Sequence, residues 1–252
     1  DTRVFGLHSL IPPHKNGPPT PSADRQERSR LGLLMSMLGR YNEALPLLEH
    51  AEELARELGT ARAEAETQTI LSSLYARWGR YPEAAASALR ALELERGTAN
   101  SVNETMALAD LAFAQLCMGQ YVDAEASLIR ARELCDESAP QGDVALVLAL
   151  SAEAAHRLGD RDAASELAER AQILARSGGT PVRQAKAENI LGRLHTAQGQ
   201  YTSATALHAH ALEVASAIQF RSEQASAYLG LAQAADGLGD GATARRPGRT
   251  SW

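Results

Sequence analysis

Apolar residues recur every three to four positions along most of the chain, and the phase of that recurrence is reset at fixed points. In TARAEAETQTILSSLYARW, Ala65, Ile70, Leu71, Leu74, Tyr75 and Trp78 fall on one helical stripe, which predicts a first helix, A. Gly79 follows, suited to the left-handed turn that ends a helix, and Pro82 with Glu83 suits the first turn of the next. The second stripe, PEAAASALRALELER, puts Ala84, Ala85, Ala88, Leu92 and Leu94 on the buried side of a helix B that stops near Gly97. Thr98 or Ser101 can cap the helix after it, Ser101 to Glu104 having capping-box spacing, while Gly59-Thr60 and Gly179-Thr180-Pro181 mark the same boundary in other units. Each unit is therefore expected to be a helical hairpin.

The resets are periodic. Gly39, Gly79, Gly119, Gly159, Gly199 and Gly239 stand forty residues apart, and GRYNEA, GRYPEA, GQYVDA and GQYTSA begin at four of them. Ala44, Ala84, Ala124, Ala164 and Ala204 sit one turn into helix B, where a larger side chain would push the two helices apart. A second alanine, Ala51, Ala91, Ala131, Ala171 or Ala211, returns seven positions later, and seven residues before each glycine the chain keeps a small residue: Gly32, Ser72, Ala112, Ala152, Gly192, Ala232. Tyr41, Tyr81, Tyr121 and Tyr201 are placed to fill the corner between hairpins.

This pattern resembles the tetratricopeptide repeat (TPR) family, most fully at Leu191, Gly192, His195, Gly199, Tyr201, Ala204 and Ala211. The usual period is ~34 residues, so a period of forty implies the extended branch of that family, similar to the C-terminal arrays of bacterial transcriptional and signalling regulators. HEAT-type repeats have a comparable period but do not account for Gly-x-Tyr-x-x-Ala. The resemblance implies an all-α fold, a right-handed α-α superhelix of about five hairpins plus a partial sixth, with A helices lining the concave side. The boundaries expected are an extended or disordered linker over 1–23 and an array over 24–239. Its repeats fall near 25–60, 61–100, 101–140, 141–180, 181–220 and 221–239, and an irregular tail covers 240–252. That tail places Gly241 where the tyrosine belongs and Pro247-Gly248 where the last B helix belongs, so the final A helix is expected to expose Leu229, Leu231 and Leu238.

Composition narrows the function. A net charge of −6 argues against direct nucleic-acid contact, and no apolar run is long enough for a membrane span. The start lacks a signal peptide, which gives a cytoplasmic protein as the expectation; the absence of an initial Met is compatible with an earlier segment. Cys117 and Cys135 are too few for a disulfide framework and read as small buried hydrophobes. There is no phosphate loop, HExxH, GxSxG or CxxC, and His208 and His210, two apart on a helix, point in different directions. His50, His156 and His195 stand isolated. The expectation is a non-enzyme without cofactor or metal.

What the resemblance implies instead is binding of a peptide or partner segment in the concave groove. Taken from the register of the family's groove, the candidate contacts are Thr69, Ser73, Arg77, Asp110, Phe113, Glu153, His156, Arg157, Lys186, Asn189 and Arg193, each set against the plain alternative of a solvated helix face. Lys186, Asn189 and Arg193, joined by Arg157, form the sharpest patch, able to grip a carboxylate, or else to pair internally with Glu153 or Glu188. It matches only part of the family's carboxylate clamp, since Ser29, Leu33, Thr69, Ser73, Ala109 and Phe113 do not supply the paired Asn and Lys. A sensory or autoinhibitory array of a larger bacterial regulator is the alternative to an interaction scaffold, and pairing of two copies through the uncapped C-terminal end is open to either.

Overall fold

The computed structural model describes residues 20–96, 101–136 and 138–239. Among these residues there are eleven helices and no strand: α1 (Pro21–Met37), α2 (Tyr41–Leu58), α3 (Ala61–Arg77), α4 (Tyr81–Glu95), α5 (Ser101–Cys117), α6 (Tyr121–Leu134), α7 (Gln141–Leu158), α8 (Arg161–Ser177), α9 (Pro181–Ala197), α10 (Tyr201–Ala217) and α11 (Arg221–Gly237). The odd-numbered helices are the A helices and the even-numbered ones the B helices, and each packs on its neighbours in sequence. The fold is the expected helical solenoid of five hairpins and one further A helix. It starts earlier than expected: Thr20 accepts a hydrogen bond from the Ala23 N–H, and Pro21 opens α1 three residues before Asp24. The stop at Gly97, the Thr98 cap, the Ser101 side chain, the segment 1–19 and the tail from 240 lie outside the described residues.

The hexapeptide works through one residue. Gly39, Gly79, Gly119, Gly159 and Gly199 all have positive φ, from 75° to 91°, which a side chain would strain. The residue after each glycine then does two things. Its N–H closes helix A on the carbonyl five residues back, as in Arg80 N–H to Tyr75 O at 2.9 Å, and its carbonyl opens helix B, as in Ala84 N–H to Arg80 O at 3.0 Å. Both ends are tied to one residue, so the angle between the helices is fixed. The five alanines that follow, Ala44, Ala84, Ala124, Ala164 and Ala204, are fully buried, as are Ala51, Ala91, Ala131, Ala171 and Ala211.

Gly32, Ser72 and Gly192, each seven residues before a turn glycine, face helix B of their own units. A Cβ on Gly32 would lie 2.6 Å from Leu48 Cγ, and one on Gly192 would lie 2.5 Å from His208 Nε2. Leu48 and His208 share a register with Ala88, Leu128 and Ala168, so two of the three bulky residues at this position on B are met by the two glycines on A. The largest core cluster runs from α5 to α10 through Leu128, Val147, Leu148, Leu150 and Leu191. Burial of the cysteines is not observed: Cys117 is exposed and Cys135 half-exposed, because each sits at a helix end where the next turn leaves it uncovered.

The array also curls far enough to meet itself. Met37, the last residue of α1, packs with Ala185, Ala215 and Phe220, and the Arg77 guanidinium lies 5.3 Å from the centre of the Phe220 ring.

Candidate functional site

That curl turns the concave wall into a cavity of about 250 Å³. Its walls are the A helices: Arg77 from the last turn of α3, Asp110 and Phe113 from α5, Leu146 and Leu150 from α7, Lys186, Ile190 and Arg193 from α9, and Ser222, Glu223 and Ser226 from α11. Tyr41 and Tyr81, at the starts of α2 and α4, complete the rim. Residues from opposite ends of the array thus line one space.

Five of the eleven residues expected in the groove are brought together here: Arg77, Asp110, Phe113, Lys186 and Arg193. The others are placed differently. Thr69 turns its hydroxyl back to Ala65 O at 3.0 Å, and Ser73 donates to Asp110 Oδ2 at 2.9 Å, which orients that acid. Glu153, nearly buried, accepts from Arg193 at 3.0 Å and pairs with Arg157 at 3.6 Å. Arg157 is half exposed and lies 5.8 Å over the Tyr121 ring, outside the cavity lining. His156 is partly buried, and its Nδ1 has no partner.

Asn189 does not line the cavity. It is fully buried and its Nδ2 donates to Glu223, to the backbone oxygen at 3.0 Å and to Oε2 at 2.9 Å. Two acceptors on that side fix the amide orientation, so Oδ1 faces His208 and accepts from its Nδ1 at 3.1 Å. The four-residue patch of Arg157, Lys186, Asn189 and Arg193 is therefore divided: Lys186 and Arg193 enter the cavity, Arg157 stays outside, and Asn189 ties α11 to α9. The internal pairing with Glu153 is the one that forms. His208 and His210 do diverge, His208 into the core and His210 onto Glu188 at 2.8 Å.

The electrostatics follow from the curl. Burial pulls the Lys186 ammonium and the Arg77 guanidinium below their ordinary values. Burial also disfavours the charge of Arg193, but Glu153, with help from Glu223, more than restores it. Tyr41, Tyr81, Leu146, Leu150, Ile190 and the α11 residues were missed by the sequence reading. Ser226 stands forty residues after Lys186, so the register extended into the partial sixth unit would have found it. The meeting of the two ends has no such signal.

Among the described residues no group of three His, Cys, Asp or Glu side chains gathers as a metal site, and no helix is long and apolar enough to cross a membrane. Residues 27–96 match the family model described as tetratricopeptide repeat, which indicates no catalytic family. No curated protein matches the chain. Solved structures do. One is a protein of nearly identical TPR-like repeats from Podosopora anserina, named for the kinesin light chain, with 22% identity and a TM-score of 0.57 over 82% of this chain and 100% of that one. PilF of Pseudomonas aeruginosa aligns at 16% identity and a TM-score of 0.53 over 89% of this chain and 88% of its own. BtubC of P. vanneervenii aligns at 18% and 0.54, covering 84% and 86%. At these identities the likeness is one of fold. The chain is a tetratricopeptide-like solenoid whose residues 27–96 match the tetratricopeptide repeat family itself.

Proposed function

We propose that the chain is a protein-interaction scaffold whose partner docks on the uncovered face of α11. The observation that carries this is a change of exposure at constant register. Leu108, Leu148 and Glu188 are at most 7% exposed, whereas Tyr228, in the same register, is 52% exposed; Ala109, Ala149 and Asn189 are at most 1% exposed, whereas Leu229 is 61% exposed. In the earlier units these positions lie beneath the helices that follow. On α11, no described helix follows.

The occupant that fits is a helix of the partner with small residues seven apart, because every A helix from α1 to α9 is covered by a B helix carrying buried alanines at that interval. The concave wall, where a peptide or partner segment is expected, encloses a cavity of about 250 Å³. In the alternative reading, a sensory array of a larger regulator, the docking helix belongs to another domain of the same protein.

The test covers the face. A copy of residues 200–217 placed directly after Gly239 lays a B-type helix on this face, and Tyr228→Glu makes the exposed face polar. A partner recovered with the wild-type array is expected to be lost with both variants and kept with Lys186→Gln, whose change lies in the cavity. Retention by both end variants refutes docking at α11. Wild-type sedimentation as a dimer, abolished by Tyr228→Glu, would identify the occupant as a second copy and overturn the separate partner.

A further inference from the structure

The inner cavity contains more cationic hydrogen-bonding capacity than the protein uses. Arg77 donates from Nη1 to the Ser36 hydroxyl at 3.0 Å, while its Nε is buried without a partner. Lys186 lines the cavity and makes no hydrogen bond or ion pair with the described residues. Burial disfavours the charge of both, and for Lys186 the charge of Arg77 adds to this, against the attraction that Asp110 and Glu223 exert on each of them.

The acids of the cavity are differently placed. Asp110 holds the Ser73 hydroxyl, and Glu223 holds the Asn189 amide at 2.9 Å. Both carboxylates stabilise Lys186 at a distance, but neither reaches it as a salt-bridge partner. Arg193 is already satisfied by Glu153 at 3.0 Å. What is missing is an acceptor that bridges Arg77 and Lys186. Beside them Phe113, Leu146, Leu150 and Ile190 present an apolar wall. The volume, about 250 Å³, falls just below the ~300–1,000 Å³ of ordinary small-molecule pockets.

We infer that this cavity binds a small free carboxylate with an apolar body, its acid group between Arg77 and Lys186 and its hydrocarbon part against Phe113, Leu146, Leu150 and Ile190. An anion there relieves the repulsion between two desolvated cations and gives each a charge-assisted hydrogen bond. The apolar body replaces water on the hydrocarbon wall. Because walls from α3 through α11 all touch the same space, an occupant fastens the first half of the array to the last helix. This site is separate from the α11 docking face, so one can fail while the other stands.

The experiment compares octanoate, octan-1-ol and octylamine by isothermal titration calorimetry and thermal unfolding. Octanoate is expected to bind and raise the melting temperature at about 1 mM, a stabilisation that grows with ligand concentration over Kd. Lys186→Met, which keeps an apolar stem and removes the ammonium, should weaken octanoate roughly tenfold or more, as loss of a partly desolvated charge pair does, and leave octan-1-ol unchanged. Octan-1-ol binding as tightly as octanoate, octylamine binding better, or no binding of octanoate would each overturn the inference. A Leu-terminated hexapeptide binding where octanoate does not would overturn it too, by assigning the site to a chain terminus. The wild-type comparison decides the matter even if Lys186→Met fails to fold.

Discussion

The middle of the array, where α6 meets α7, and the fifth hairpin share one backbone plan and fill it with different chemistry. In the middle of the array α7 buries Leu146, Val147, Leu148 and Leu150, and Leu128 of α6 is fully buried against the same cluster. In the fifth hairpin Glu188, Asn189 and His208 are nearly or fully buried. The position held by Leu128 in the middle is held by His208 near the end. There it is pressed between Gly192 and Gly230, each of whose would-be Cβ atoms falls within 2.5 Å of the imidazole. The lesson is that the alanines and glycines fix the architecture, while the bulky register is free to be hydrocarbon or a hydrogen-bonded group. That freedom makes one end sensitive to conditions that the middle ignores.

The comparison is broken most forcefully by shrinking Leu128. Leu128→Ala should cost about 2–5 kcal/mol at neutral and acidic pH alike, the usual loss for a cavity in a well-packed core. A smaller loss, measured by urea unfolding, would mean that the middle is loosely packed. Acidification should act at the other end. Burial, helped by the charge of Arg193, holds the His208 pKa down at about 4, against 6.5 for a free imidazole. The unfolded chain therefore takes up the proton first. Stability is complete above the unfolded value and is lost as pH falls towards the folded one, by about 3 kcal/mol in full. Hydrogen exchange should show α9 to α11 loosening over that window before α7 does, and His208→Leu should flatten the dependence.

Two smaller effects sharpen the picture. Gln219, at φ 56°, is the one non-glycine among the described residues with positive φ; Gln219→Gly should raise stability by about 1 kcal/mol by relieving the left-handed conformation. No gain in thermal unfolding would mean that the turn is held by other contacts. Arg193→Ala should cost only roughly 0.5 kcal/mol, because Glu153 keeps Arg157 at 3.6 Å. A loss like that of Leu128→Ala would make Arg193 part of the scaffold.

Most of this architecture was legible because it is local. The spacing of Gly79 and Ala84 encodes a turn whose two hydrogen bonds span a few residues, so repetition alone revealed it. The inner wall was half legible. Phe113 and Lys186 lie on the A-helix face that register assigns to the concave side, and they line the cavity. Asn189 lies three residues from Lys186, yet Glu223 and His208 consume its amide. Both partners come from other helices, and helical spacing within α9 carries no information about them. The exposure of Cys117 is illegible for a similar reason: it depends on what the following turn leaves uncovered.

The contact between Arg77 and Phe220 has a kinetic consequence. The strong helix contacts all join elements one or two apart in the chain, which favours rapid growth from any starting hairpin. Closure is the exception, since it brings together segments from opposite ends of the array and must wait until the intervening hairpins have formed. The array should therefore assemble as a fast zipper followed by a slower ring closure, and only the second event creates the cavity.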